Sequence, residues 1–101
     1  MAMLEKLTDR IRGAAAGKPG FGKSIRLDLG ESGAIRIDGA GETVAVDNDA
    51  AASADTTISM SAENLDKLMR GELNAMTAVA FGKIRIAGDM SQAMMLSKFL
   101  G

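Results

Sequence analysis

Apolar residues recur along this chain with two different periods. In residues 2–17, Leu4, Leu7, Ile11, Ala14 and Ala15 fall on one stripe at helical spacing. Gly17-Lys18-Pro19-Gly20 ends that pattern, because proline cannot continue a helix and glycine accommodates the exit turn. From residue 24 the period drops to two. Ile25, Leu27 and Leu29 alternate with Ser24, Arg26 and Asp28, and after Gly30-Glu31-Ser32-Gly33 the residues Ile35 and Ile37 alternate with Arg36 and Asp38. Val44 and Val46 follow after Gly39-Ala40-Gly41. Three strands joined by short glycine-rich turns predict an antiparallel meander. Each strand is apolar on one face only, so the sheet is expected to be covered on one side and wet on the other.

Residues 47–55 are small and polar and read as a surface connection. Ile58 and Met60 make a fourth strand. Ser61 is suited to cap a helix carrying Leu65, Leu68 and Met69 on one face, with Gly71 at its end. Asn74 caps a shorter helix through Met76, Val79 and Ala80. Gly82 ends it, and Lys83-Ile84-Arg85-Ile86 alternates as a fifth strand whose cations face water. Gly88 turns the chain, Asp89 caps, and a last helix runs to Leu100.

That last helix carries more apolar surface than one contact can bury. Met90, Ala93, Met94, Met95, Leu96, Phe99 and Leu100 occupy nearly its whole circumference, so it must meet more than one neighbour. The second neighbour is another helix, a dimer partner or a ligand. Six of the eight methionines (Met60, Met69, Met76, Met90, Met94 and Met95) lie in the C-terminal half. Methionine is unbranched and polarisable; it fills irregular cores and also suits surfaces that repack around variable apolar partners.

Composition removes most catalytic chemistry. The 101 residues, 47% hydrophobic and 25% charged, fit one globular domain spanning residues 1–101. With no cysteine and no histidine, thiol nucleophiles and histidine acid–base pairs are absent, and no cofactor is expected. Twelve Lys and Arg against 13 Asp and Glu leave a net charge of −1, with no overall pull toward nucleic acid or an anionic membrane. The three aromatics, Phe21, Phe81 and Phe99, are too few for a base-stacking platform. Residues 1–6 lack the pattern of a signal peptide, and no apolar run approaches the roughly 18 residues of a spanning helix, so a cytoplasmic location is expected.

Two motifs invite other readings. Gly17-Lys18-Pro19-Gly20-Phe21-Gly22-Lys23-Ser24 matches the phosphate-loop pattern letter for letter. That loop works by presenting the N–H groups of a helix N-terminus after a strand. Here a helix precedes and a strand follows, so the segment is read as a turn. Asp47, Asn48 and Asp49 lack the glycine and the distal glutamate of a calcium loop and are read as solvated. Glu63 and Asp89 sit near helix starts, where they complement the dipole.

Residues 55–100 resemble the sterol carrier protein type 2 domain. The resemblance is carried by Asp55-Thr56-Thr57-Ile58-Ser59-Met60-Ser61, then Leu65, Leu68, Met69 and Gly71, then Leu73-Asn74 and Ala80-Phe81. It continues in Gly82-Lys83-Ile84-Arg85-Ile86 and Gly88-Asp89-Met90, and ends with Ala93-Met94 and Leu96. The N-terminal half agrees in its order of elements, a helix and then three strands. Asn74 is followed by Ala75, where that family commonly has proline.

The resemblance implies an α+β fold: a five-stranded, one-sided, mostly antiparallel sheet covered on one face by helices, with an apolar tunnel between the layers. It implies non-catalytic binding, and transfer, of a sterol, fatty acyl chain or phospholipid. By position, the implied lining is Leu65, Leu68, Met69, Leu73, Met76, Phe81, Ile84, Ile86, Met90, Met94 and Phe99. Each contributes apolar area, at about 25 cal/mol per Å2 buried. The implied partner is a lipid or sterol-like small molecule and not a nucleic acid. Transient membrane contact and a monomer or homodimer are both compatible with this reading. The alternative is an assembly module that dimerises, or docks on a lipid-biosynthetic enzyme, through the apolar C-terminal helix.

Overall fold

The computed structural model describes residues 3–49 and 53–92. Helix α1, Met3–Ala15, is followed by strands β1, Ser24–Asp28, β2, Ala34–Asp38, and β3, Ala45–Asp47. Strand β4, Thr56–Ser59, leads into helices α2, Ala62–Met69, and α3, Ala75–Ala80, and then into β5, Arg85–Ala87. The five strands form one sheet in the order β3-β2-β1-β4-β5.

The meander β1-β2-β3 is antiparallel as its alternation predicts, with Ile25 opposite Ile37 and Leu27 opposite Ile35. Strand β4 pairs parallel to β1, Leu27 opposite Ile58, and β5 pairs antiparallel to β4. The sheet is therefore mixed but mostly antiparallel. Periodicity identified the strands and their apolar faces; it carries no information on which distant strand lies beside β1, and that is where the parallel pair arises.

Strand alternation separates two surfaces. Ile25, Leu27, Ile35, Ile37 and Ile58 join Leu7 and Ile11 of α1, Leu65 of α2, Ala78 of α3 and Ile84 in one buried cluster. Arg26, Asp28, Arg36, Asp38, Thr57 and Ser59 occupy the alternate positions and are exposed or half-buried. Helix α1 packs on β2, β3 and α2. Asn48 fastens it, donating to the Thr8 hydroxyl and to the Ala34 carbonyl, both at 2.9 Å.

The caps follow the sequence signals. The Ser61 hydroxyl accepts from the Asn64 N–H at 3.1 Å, and the Asn74 side chain accepts from the Thr77 N–H at 3.1 Å. Gly71 and Gly82 leave α2 and α3 with φ of 77° and 74°, a left-handed exit that glycine accepts without strain. Several boundaries differ from expectation: Leu29 and Met60 fall just beyond β1 and β4. Strand β5 begins at Arg85 rather than Lys83, because the Lys83 and Ile84 N–H groups donate to the Ala78 carbonyl and stay with the end of α3. Strand β3 begins at Ala45 rather than Val44, whose N–H donates to the Lys18 carbonyl at 3.2 Å.

Candidate functional site

The segment from α2 through β5 carries most of the residues expected to line a cavity, and it places them in three settings. Leu65 and Ile84 are buried in the core. Leu68, Met69, Leu73 and Ile86 are half-buried and pack against that core. Met76, Phe81 and Met90 are open to solvent, 60%, 77% and 52% exposed. Met94 and Phe99, with nearly all of the last helix, lie outside the described residues. The gradient has a local cause. On the short helix α3, Ala78 is the buried residue, so Met76, two positions before it, is left on the outside, while Phe81 is the C-cap beyond the last turn.

A groove of about 430 Å3 opens where β1 and β4 end and β5 begins. Its walls include Asp28, Ser59, Gly82, Lys83 and Arg85, and its apolar part is Leu29 and Met60, which are themselves buried. The register explains the grouping: Asp28 stands opposite Ser59 on β4, and Ser59 opposite Arg85 on β5, so the three share a row across the polar face. Lys83 precedes Arg85 by two residues. Both cations were expected on the wet side of the sheet; the groove they flank was not foreseen, because it depends on the parallel β1–β4 pairing.

Elsewhere the charges are used within the fold. Asp66 accepts from Arg10 at 2.8 Å and from Arg70 at 3.2 Å, joining α1 to α2. Arg36 lies between Asp47, at 2.9 Å, and Asp38, at 3.1 Å. Desolvation works against its charge, but hydrogen bonds and attraction from the two aspartates outweigh that and hold its pKa above the ordinary arginine value. Asp55 accepts from the Ser24 N–H at 2.8 Å and the Ser24 hydroxyl at 3.3 Å, pinning the start of β1 beside the start of β4. The backbone hydrogen bond from Ser24 is the main reason its carboxyl stays below the usual range, against desolvation and with help from the Ser24 hydroxyl and Lys23.

These bonds dispose of the two diverting motifs. Ser24 of the phosphate-loop pattern begins a strand and is held by Asp55, and the loop approaches the β2–β3 turn through Gly20 N–H to the Glu42 carbonyl at 2.9 Å. Of the acidic triplet, Asp47 holds Arg36 and Asn48 holds α1. Among the described residues no three metal-binding side chains come together, and no helix is long and apolar enough to cross a membrane.

A one-sided five-stranded sheet of this order, with α1, α2 and α3 contributing buried residues to the core on one face, defines an α+β fold. The profile of the SCP-2 sterol transfer family matches residues 3–101, and the chain belongs to that family. Among solved structures it is similar to Sterol Carrier Protein 2 Like 2 from Aedes aegypti. That pair is 24% identical, covers 95% of this chain and 94% of that one, and superposes with a TM-score of 0.74. The palmitated form of the same mosquito protein, solved in solution, is 24% identical over 98% and 91% of the two chains, with a TM-score of 0.66. A UbiJ-SCP2 ubiquinone synthesis protein is 20% identical over 95% and 86%, with a TM-score of 0.70. A comparison with curated proteins gives no match.

Proposed function

We propose that this protein binds, without chemical change, an apolar ligand such as a fatty acyl chain, sterol or phospholipid between the helix-facing side of the sheet and its C-terminal helices. Membership of the SCP-2 sterol transfer family supports the reading. The observation that carries it is the contrast between the two halves of the fold. Around α1 the large apolar residues Leu7 and Ile11 are closed off from water, and of its large apolar side chains only Met3, at its first position, is exposed. Around α3 and the chain after β5, Met76, Phe81 and Met90 are open to it. An unpaired apolar surface of this kind is what a ligand or partner covers.

In this reading Leu65, Leu68, Met69, Leu73, Ile84 and Ile86 form the deep wall, and Met76, Phe81 and Met90 the mouth. Met94 and Phe99, outside the described residues, are the remaining expected contributors. Affinity comes from desolvation of the ligand, and the methionines let the wall repack around different shapes. Titration with long-chain acyl or sterol ligands is expected to give a Kd in the micromolar range, about −8 kcal/mol. Phe81→Asp and Met94→Glu are expected to abolish binding. Unchanged binding by both folded variants would place the pocket elsewhere.

A second reading draws on the similarity to the ubiquinone synthesis protein and on the same exposed residues: the surface around α3 docks a second copy or a biosynthetic enzyme. A monomer at high dilution that still binds lipid excludes it.

A further inference from the structure

The groove at the end of β1, β4 and β5 brings two cations together. Of the arginines, Arg10, Arg12, Arg36 and Arg70 each pair with an aspartate, and Arg26 donates to Thr57. The side chains of Lys83 and Arg85 have no hydrogen-bond or ion-pair partner among the described residues. Both line the groove. Its carboxylate, Asp28, does not neutralise them. One Asp28 oxygen accepts the Gly30 N–H at 2.9 Å, and β4 lies between its strand and that of Arg85, about 10 Å at the usual strand spacing. Ser59, on β4, stands in the row between Asp28 and Arg85.

The same groove is not purely polar. Leu29 and Met60 line it and belong to the buried core that also contains Leu65 and Ile84. Phe81, the most exposed large apolar side chain among the described residues, precedes the groove residue Gly82. Two cations and a serine thus lie beside residues that belong to the apolar core. A molecule that satisfies both has an anionic end and a hydrocarbon end.

We propose that this groove receives the anionic end of an amphipathic ligand, a carboxylate or phosphate held by Lys83 and Arg85, so that the protein prefers a single-chain acid to a neutral lipid of the same chain length. The proposal rests on the lipid-binding reading and narrows it to a ligand class. Lys83 donates from a mobile ammonium, and Arg85 can offer two parallel N–H groups to one carboxylate or phosphate. Ser59 can add a neutral hydrogen bond.

Calorimetric titration of the native protein with dodecanoate and with methyl dodecanoate tests it, together with the double variant Lys83→Gln/Arg85→Gln. Both positions are exposed, so the variant is expected to keep the native circular dichroism and melting curve. The acid is expected to bind the native protein about tenfold or more tightly than its ester, an advantage that shrinks as ionic strength rises above about 0.15 M. The double variant is expected to bind acid and ester alike, with ester affinity unchanged. Equal binding of acid and ester by the native protein overturns the proposal and leaves the lipid-binding reading standing. Binding of neither overturns both. Displacement of dodecanoate by inorganic phosphate at comparable concentration also overturns it, since the groove would then be a site for small anions without a chain.

Discussion

Replacing Gly20 by alanine tests the local geometry that separates this loop from a phosphate-binding one. A Cβ at Gly20 would fall against the Gly41 carbonyl oxygen, inside any allowed contact, and 2.6 Å from the Gly39 carbonyl oxygen. Both obstacles are backbone, so neither can rotate away. The β2–β3 turn must shift, which strains or breaks the Gly20 N–H bond to Glu42, 2.9 Å, and the Gly22 N–H bond to Gly39, 2.8 Å. Overpacking of this kind costs about 1–3 kcal/mol, and each hydrogen bond lost about 1 kcal/mol more. A destabilisation of about 2–4 kcal/mol is expected, or a fall in Tm of about 10–20 °C for a domain of this size. Gly13→Ala provides the control. Gly13 lies within α1, and its Cβ would meet nothing within 4 Å. There alanine is expected to stabilise by up to about 1 kcal/mol through helix propensity. Thermal and urea melts followed by circular dichroism measure both. If Gly20→Ala were as stable as Gly13→Ala, the loop would not be packed against the turn, and the argument that it is a structural clasp would fail.

Three further outcomes are expected. Leu65→Ala, at a side chain with 0% exposure, should lose about 2–5 kcal/mol in a urea titration and weaken ligand binding as well. Ser61→Ala should lose about 1 kcal/mol by removing the α2 cap, and Ser61→Asp should retain most of it. Because the folded-state pKa of Asp55 is depressed, its contribution is present above the unfolded value of about 4 and is lost as pH falls through the lower folded value. Asp55→Asn should therefore flatten the acid end of a plot of Tm against pH, without changing the response of Tm to pH near neutrality.

The elements were legible because each is written in local terms. Alternation gave the strands, glycine and proline gave their ends, and Ser61 and Asn74 marked helix starts that the hydrogen bonds bear out. What escaped was long-range. Nothing near Ser24 or Asp55 in sequence indicates that they meet across 31 positions, although that clasp helps set β4 parallel beside β1. Asn48, read as part of a solvated turn, is instead the side chain that ties α1 to β2. Lys83 and Arg85 were visible as solvent-facing alternates of a strand. Their convergence on one groove depends on the sheet order, which no local pattern encodes. The surplus apolar surface was legible as an excess, without an address. The described residues place part of it at Met76, Phe81 and Met90, and the expected contributions of Met94 and Phe99 lie outside them.

The central claim is that an apolar ligand occupies the space between the sheet and the C-terminal helices. Native mass spectrometry of freshly purified protein, followed by organic extraction of whatever is bound, tests it most directly. The account predicts a lipid at one per chain, released on unfolding and recoverable by adding acyl chains back to stripped protein. A stripped protein that stays empty when offered acyl chains, sterols and phospholipids would contradict it, and an empty dimer in the same spectrum would point to the docking role instead.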